Sequence, residues 1–142
     1  MSAAIIDGRA VAATIESELQ ARVARLGSAP RLAVVQVGND PASTSYIRAK
    51  SRAAERVGVE LTHHHLPANI PLGELEALVE RLNSSEHGII IQLPLPDGLE
   101  PALARIAPAR DVDGFHPENL GKLLRGEPGL RPCTPAGIME LL

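Results

Sequence analysis

The order of apolar segments predicts an α/β fold, a mainly parallel sheet with helices on both faces. Three observations carry this expectation. Arg31 to Val37 (RLAVVQV) and Gly88 to Leu93 (GIIIQL) are apolar almost throughout, which marks strands covered on both sides. Val59 to Leu66 (VELTHHHL) alternates as a third strand. Helical spacing fills the intervals between these runs, and strands separated by helices join in parallel.

Each element has its own signals. Asp7-Gly8 opens a helix to about Leu26, with Val11, Ile15, Leu19, Val23 and Leu26 three or four apart and Gly27 as the stop. Gly38 ends the first strand. Asp40 reads as an N-cap with Pro41 at the first helical position, and this second helix runs to Val57 before Gly58. Between the second and third strands, Pro71 to Leu82 carries Leu72, Leu75, Leu78, Val79 and Leu82 at helical spacing. Beyond Pro94 and Pro96 come a short helix from Leu99 to Ile106, a turn at Asp111 to Gly114 and a helix from Pro117 to Leu124. The last helix is expected to have Thr134 as N-cap and Pro135 as its first residue. It ends apolar at Leu142 without a stop signal, as in a chain cut within a larger protein or one whose end docks on a partner.

Composition narrows the function. The 142 residues are 44% hydrophobic, enough for one ordinary domain, and neither internal repeats nor low-complexity tracts occur. With 17 acidic residues against 14 basic, and Tyr46 and Phe115 as the sole aromatics, the chain has neither a phosphate-tracking surface nor a stacking platform for bases. Nucleic acid is therefore not an expected partner. The apolar runs fall short of the roughly 20 residues that span a bilayer. Residues Met1 to Ile6 lack the basic flank of a secretion signal, so a cytoplasmic protein is expected. Cys133 is alone, which rules out an internal disulfide and two-cysteine metal clusters.

Lys50 is the leading chemical clue. The chain uses arginine almost everywhere, a composition bias that leaves only Lys50 and Lys122 as lysines. At roughly 100° per residue, Tyr46, Ile47, Ala53, Ala54 and Val57 project within about 60° of Lys50, whereas Arg48, Arg52, Glu55 and Arg56 project away. Desolvation on an apolar stripe disfavours an ammonium and can make a lysine an acid/base near neutral pH. The alternative is a lysine that snorkels its charge past the helix edge. Gln92, polar at the carboxyl end of the most apolar strand, favours chemistry, because open α/β sheets bind ligands outside those ends. A glutamine that satisfies loop backbone before Pro94 is its other reading.

Asp111-Val112-Asp113-Gly114 either offers a carboxylate to the paired N–H donors of a heterocycle or forms an Asx turn. His63, His64 and His65 do not converge on one ion, since strand alternation turns His64 away from its neighbours. Cys133 reads as a packed thiol. Neither G-x-G-x-x-G nor G-x-x-x-x-G-K-[ST] occurs, so nucleotide binding is not expected of this chain.

Four blocks, VGNDPASTSYIRAK (37–50), GIIIQLPLP (88–96), RDVDGFHPENLGKL (110–123) and PCTPAGIMELL (132–142), carry a resemblance that covers essentially the whole chain. They resemble the catalytic domain of the FolD family of bifunctional methylenetetrahydrofolate dehydrogenase/methenyltetrahydrofolate cyclohydrolases. The resemblance implies that Tyr46 stacks on the folate, Lys50 is the central catalytic group, Gln92 tunes that lysine, Leu93 contacts substrate and Asp113 holds the pterin. It also implies tetrahydrofolate one-carbon derivatives as ligands, a homodimer for the full-length protein, no metal, and NADP bound by a Rossmann domain that lies outside this chain. Residues 1–142 are then a folate-binding catalytic domain that ends before the Rossmann domain. Dehydrogenation would need that domain, whereas hydrolysis of the methenyl compound needs no nicotinamide. The alternative is a folate-binding module without turnover. Asn83 to His87 departs from the family as a shorter segment, with Ser85 where an acidic residue is common.

Overall fold

The computed structural model describes residues 5–142. Met1 to Ala4, part of the segment read above for a secretion signal, lie outside the described residues. Nine elements follow in order. They are α1 (Gly8–Val23), β1 (Arg31–Val37), α2 (Pro41–Val57), β2 (Glu60–Leu66), α3 (Leu72–Ser85), β3 (Gly88–Ile91), a 3₁₀ helix (Glu100–Arg105), α4 (Pro117–Leu124) and α5 (Cys133–Met139).

The sheet is parallel, in the order β2-β1-β3. Its register runs from Arg31 opposite Glu60 to Val37 opposite Leu66, and from Leu32 opposite Gly88 to Val35 opposite Ile91. Period-two alternation divides the side chains between two faces. Ala33, Val35, Val37, Ile89 and Ile91 pack with Leu75, Val79 and Leu82 of α3 and with Leu99, Ala102 and Ile106. Val34 and Ile90 point the other way, onto Ile47 of α2. Helices thus cover both faces, as the apolar runs require. None of the described helices is long and apolar enough to cross a membrane.

The differences from the sequence reading lie at element ends. The first helix stops at Val23 rather than Leu26, and none of its residues is buried. It lies beside α2 instead of on the sheet, held by Arg56 Nε donating to Glu16 at 2.8 Å and Gln20 Nε2 donating to the Arg56 carbonyl at 2.7 Å. The third strand ends at Ile91, two residues early, just before Pro94, which has no N–H to extend a ladder. The last helix starts at Cys133 with Pro132 at the flanking position, so Thr134 lies inside the helix and does not cap it. The departure at Asn83–His87 closes onto the start of β1. Arg31 Nε donates to the Ser85 carbonyl at 3.0 Å, and the Arg31 N–H donates to His87 Nδ1 at 2.9 Å.

Beyond β3, Asp111 forms an isolated parallel bridge with Ile89. The Ile89 N–H donates to the Arg110 carbonyl at 2.8 Å. This short tie seats the 111–114 turn beside the strand that leads to Gln92.

Candidate active site

The site begins where β1 ends. Gly38 turns the chain with φ +78°, and the Asp40 carboxylate then accepts the Ser43 N–H at 2.7 Å. That bond satisfies an orphan donor of α2 and holds the Asp40 carboxyl below its usual range. So anchored, α2 turns Ser43, Ile47 and Ala54 inward, and all three are buried. Lys50 follows Ile47 on the same side and is half-buried. Tyr46, one turn before it, is 65% exposed at the cleft mouth.

Gln92 follows two residues after Ile90 and therefore faces α2. Lys50 Nζ donates to Gln92 Oε1 at 3.0 Å. The other end of the amide is fixed too, because Gln92 Nε2 donates to the Leu93 carbonyl at 3.0 Å. The same carbonyl accepts the buried Ser43 hydroxyl at 3.1 Å. An amide whose nitrogen is held by a carbonyl can offer only its oxygen to the lysine. Sequence reading missed Ser43, whose signal was a small polar residue one turn before Ile47.

It also missed Gln36, which is 1% exposed and was hidden within an otherwise apolar strand. Its Nε2 donates to Thr44 Oγ1 at 3.0 Å, and its Oε1 faces His63 Nε2 at 3.1 Å, tying β1 to α2 and β2. His63 and His65 share one face with rings stacked 5.7 Å apart, while His64 borders a different surface with Glu74 and Arg81. Each of the paired rings is spoken for, since His65 Nε2 meets the Gly38 carbonyl at 2.9 Å. Burial, with His65 and His64 nearby, holds His63 below the ordinary histidine range.

The two readings of the Asp111–Gly114 turn divide between its two carboxylates. Asp111 is buried and builds the turn. Its Oδ2 accepts the His116 N–H at 2.7 Å and Asn119 Nδ2 at 3.0 Å, and that amide also donates to the Pro108 carbonyl at 2.8 Å. Removing Asn119 takes away one of the two donors to this buried oxygen together with the donor to the Pro108 carbonyl, which costs about 1–3 kcal/mol. Asn119→Ala is therefore expected to lower stability by roughly that amount in denaturant titration, with Asp111→Asn smaller because its amide oxygen can still accept from both His116 and Asn119.

Asp113 instead lines the cleft. Burial raises its pKa, against the opposing pull of Lys50, with Asp111 adding to the rise. A carboxyl raised on folding keeps its proton in the native state at a pH where the unfolded chain has lost it. Stability is therefore greatest below the unfolded value and falls as pH rises through the folded one. Asp113→Asn removes this dependence. Its melting temperature relative to wild type is expected to rise from pH 4 to pH 7, and a constant difference across that range would contradict the assignment.

One correction concerns Cys133. It is exposed and borders the cleft rather than packing as a core thiol. Its Sγ donates to the Val112 carbonyl at 3.0 Å, and desolvation followed by the Asp113 carboxylate raises its pKa. The apposition of 111–114 with 131–134 is long-range and left no mark in local sequence.

Together these elements enclose a cleft of about 360 Å³ lined by Tyr46, Lys50, Gln92, Leu93, Asp113, Phe115 and Pro132 to Pro135. Tyr46, Lys50, Gln92, Leu93 and Asp113 thus border one space. The N-terminus of α2 does not offer a dinucleotide a free anion site. A pyrophosphate can be held by free N–H groups at a helix N-terminus, and at α2 the Asp40 carboxylate already takes the Ser43 N–H. Among the described residues, groups of three or more His, Cys, Asp or Glu able to hold a metal ion are absent.

Fold and cleft define an α/β domain with a lysine-centred site at the carboxyl edge of a parallel sheet. Residues 6–113 match the family model for the tetrahydrofolate dehydrogenase/cyclohydrolase catalytic domain, and the chain belongs to that family. It is 51% identical to the bifunctional protein FolD of Acidiphilium cryptum across all of this chain and 52% of that protein. The Campylobacter jejuni FolD crystal structure superposes with a TM-score of 0.94 at 44% identity, over 98% of this chain and 52% of that one. The Trypanosoma brucei FolD, solved with NADP and an inhibitor, gives 0.92 at 40% identity, over 100% of this chain and 52% of that one. The chain spans about half the length of the relatives it matches.

Proposed function

We propose that residues 1–142 are a folate-binding catalytic domain whose own side chains hydrolyse 5,10-methenyltetrahydrofolate to 10-formyltetrahydrofolate. Joined to a nicotinamide-binding domain, the protein also oxidises 5,10-methylenetetrahydrofolate with NADP. The observation that carries this reading is the hydrogen bond from Lys50 to Gln92 in a cleft bordered by Tyr46 and Asp113.

In the free-base form, Lys50 gives one N–H to Gln92 Oε1 and keeps its lone pair for the cleft. As water adds to the methenyl carbon, that lone pair takes a proton from it. When the bond from this carbon to N5 breaks, the ammonium returns the proton to N5, and the second water proton leaves to solvent as the formyl C=O forms. One positive charge is lost from the substrate and one proton is released. The Asp113 carboxylate accepts the paired N–H donors of the pterin, and Tyr46 offers a face to a flat ring. A positioned acid/base of this kind contributes about 10²–10⁴-fold to rate.

A homodimer of the full-length protein and a cytoplasmic location are part of the same proposal. The test is the decay of methenyltetrahydrofolate absorbance with the 142-residue chain near neutral pH, against buffer. Decay faster than buffer supports catalysis by this domain. An unchanged rate with folate binding retained by calorimetry would make it a binding module instead.

A further inference from the structure

The chain contains one tyrosine, one phenylalanine and no tryptophan. A core built from Ala, Val, Leu and Ile uses neither aromatic. Both are instead exposed, Tyr46 at 65% and Phe115 at 48%, and both border the same cleft although they come from different elements. Tyr46 rises from α2, whereas Phe115 follows the turn that carries Asp113.

The backbone on each side of Phe115 is fixed. Gly114 adopts φ +70°, and a Cβ there would lie 2.6 Å from the Arg131 carbonyl carbon, so the chain is pressed against the 131–132 segment. On the other side the His116 N–H is held by the Asp111 carboxylate at 2.7 Å. Phe115 also borders a small crevice whose lining includes Leu103, Ile106, Asp111 and His116. Phe115 thus lies between this crevice and the cleft. Among the described residues the one close ring pair is His63 with His65, so Tyr46 and Phe115 do not stack on each other.

We propose that Phe115 is a second ligand-contacting aromatic, whose ring meets a flat conjugated segment of the substrate other than the one that lies on Tyr46. This inference rests on reading the cleft as a folate site. It makes the site selective for ligands with two planar segments, which a tetrahydrofolate has in its pterin and aminobenzoyl groups. Loss of one aromatic contact is expected to weaken binding about tenfold.

The absence of tryptophan supplies the test. Phe115→Trp in the full chain places a single indole at the cleft, and titration with 5-formyltetrahydrofolate, a stable one-carbon folate, is expected to change its fluorescence saturably. By calorimetry, Phe115→Trp is expected to bind within about twofold of wild type, Phe115→Leu more weakly, and Phe115→Ala about tenfold more weakly, each with wild-type circular dichroism. Tyr46→Ala is the reference. If it loses affinity while Phe115→Ala and Phe115→Leu bind like wild type and the indole does not respond, the role of Phe115 is overturned and the folate site stands. Failure of the wild-type chain to bind the folate would overturn the site reading and this inference together.

Discussion

Lys50→Met is expected to abolish the catalysed hydrolysis of 5,10-methenyltetrahydrofolate, a loss of about 10²–10⁴-fold in rate, while the chain stays folded. Methionine matches the length of the lysine stem and suits a stripe shared with Ile47 and Ala54, so packing is preserved while the proton carrier is removed. The lost hydrogen bond leaves Gln92 Oε1 facing the cleft, where water can reach it. The measurement is absorbance decay alongside a thermal melt. A variant that hydrolyses like wild type would overturn the assignment of Lys50, and one that fails to melt cooperatively would show that the lysine serves the fold instead.

Gly114→Ala is the second large effect expected, and it strikes through the backbone. At φ +70° a side chain is strained, and here the added carbon would also meet main-chain atoms of Arg131 and Pro132 at 2.6–2.9 Å. Backbone cannot step aside as a flexible side chain can. Strain and overpacking together predict a loss of about 2–4 kcal/mol by denaturant titration. Asp113 and Phe115 flank the substituted residue, so folate affinity is expected to fall as well. By contrast, Gly98 also has a positive φ but open space around it, and Gly98→Ala carries the strain without the clash. Equal losses at the two glycines would show that the contact with 131–132 does not hold the turn.

Much of this architecture is local and therefore legible in the sequence. The strands β1 and β2 announce themselves by β-branched or alternating runs, and α2 by Asp40, Pro41 and Gly58, because caps and periodicity act over a few residues. The convergence of Lys50 and Gln92 was also accessible, since Gln92 follows the carboxyl end of one strand and Lys50 sits on the helix that begins after the carboxyl end of a parallel one. Three features were not. Gln36 reads as one more member of a strand until its partners on α2 and β2 are in place. The separate duties of Asp111 and Asp113 depend on Asn119 and on the isolated bridge to Ile89. The position of Cys133 depends on 131–134 folding back across the turn. Each is a contact between distant segments, for which local pattern holds no information.

The strand at the centre of the sheet is made before either of its partners. Arg31 pairs with Glu60 and Leu32 with Gly88, so no hairpin can start the sheet and both edges of RLAVVQV must wait for later chain. On a ribosome, this β-branched run has no strand to join until Leu66 has been made, and its second edge stays open until Ile91 follows. The loops to be closed are long, which places the domain among slow-folding topologies. Cotranslational exposure of this run is then a point at which synthesis competes with aggregation.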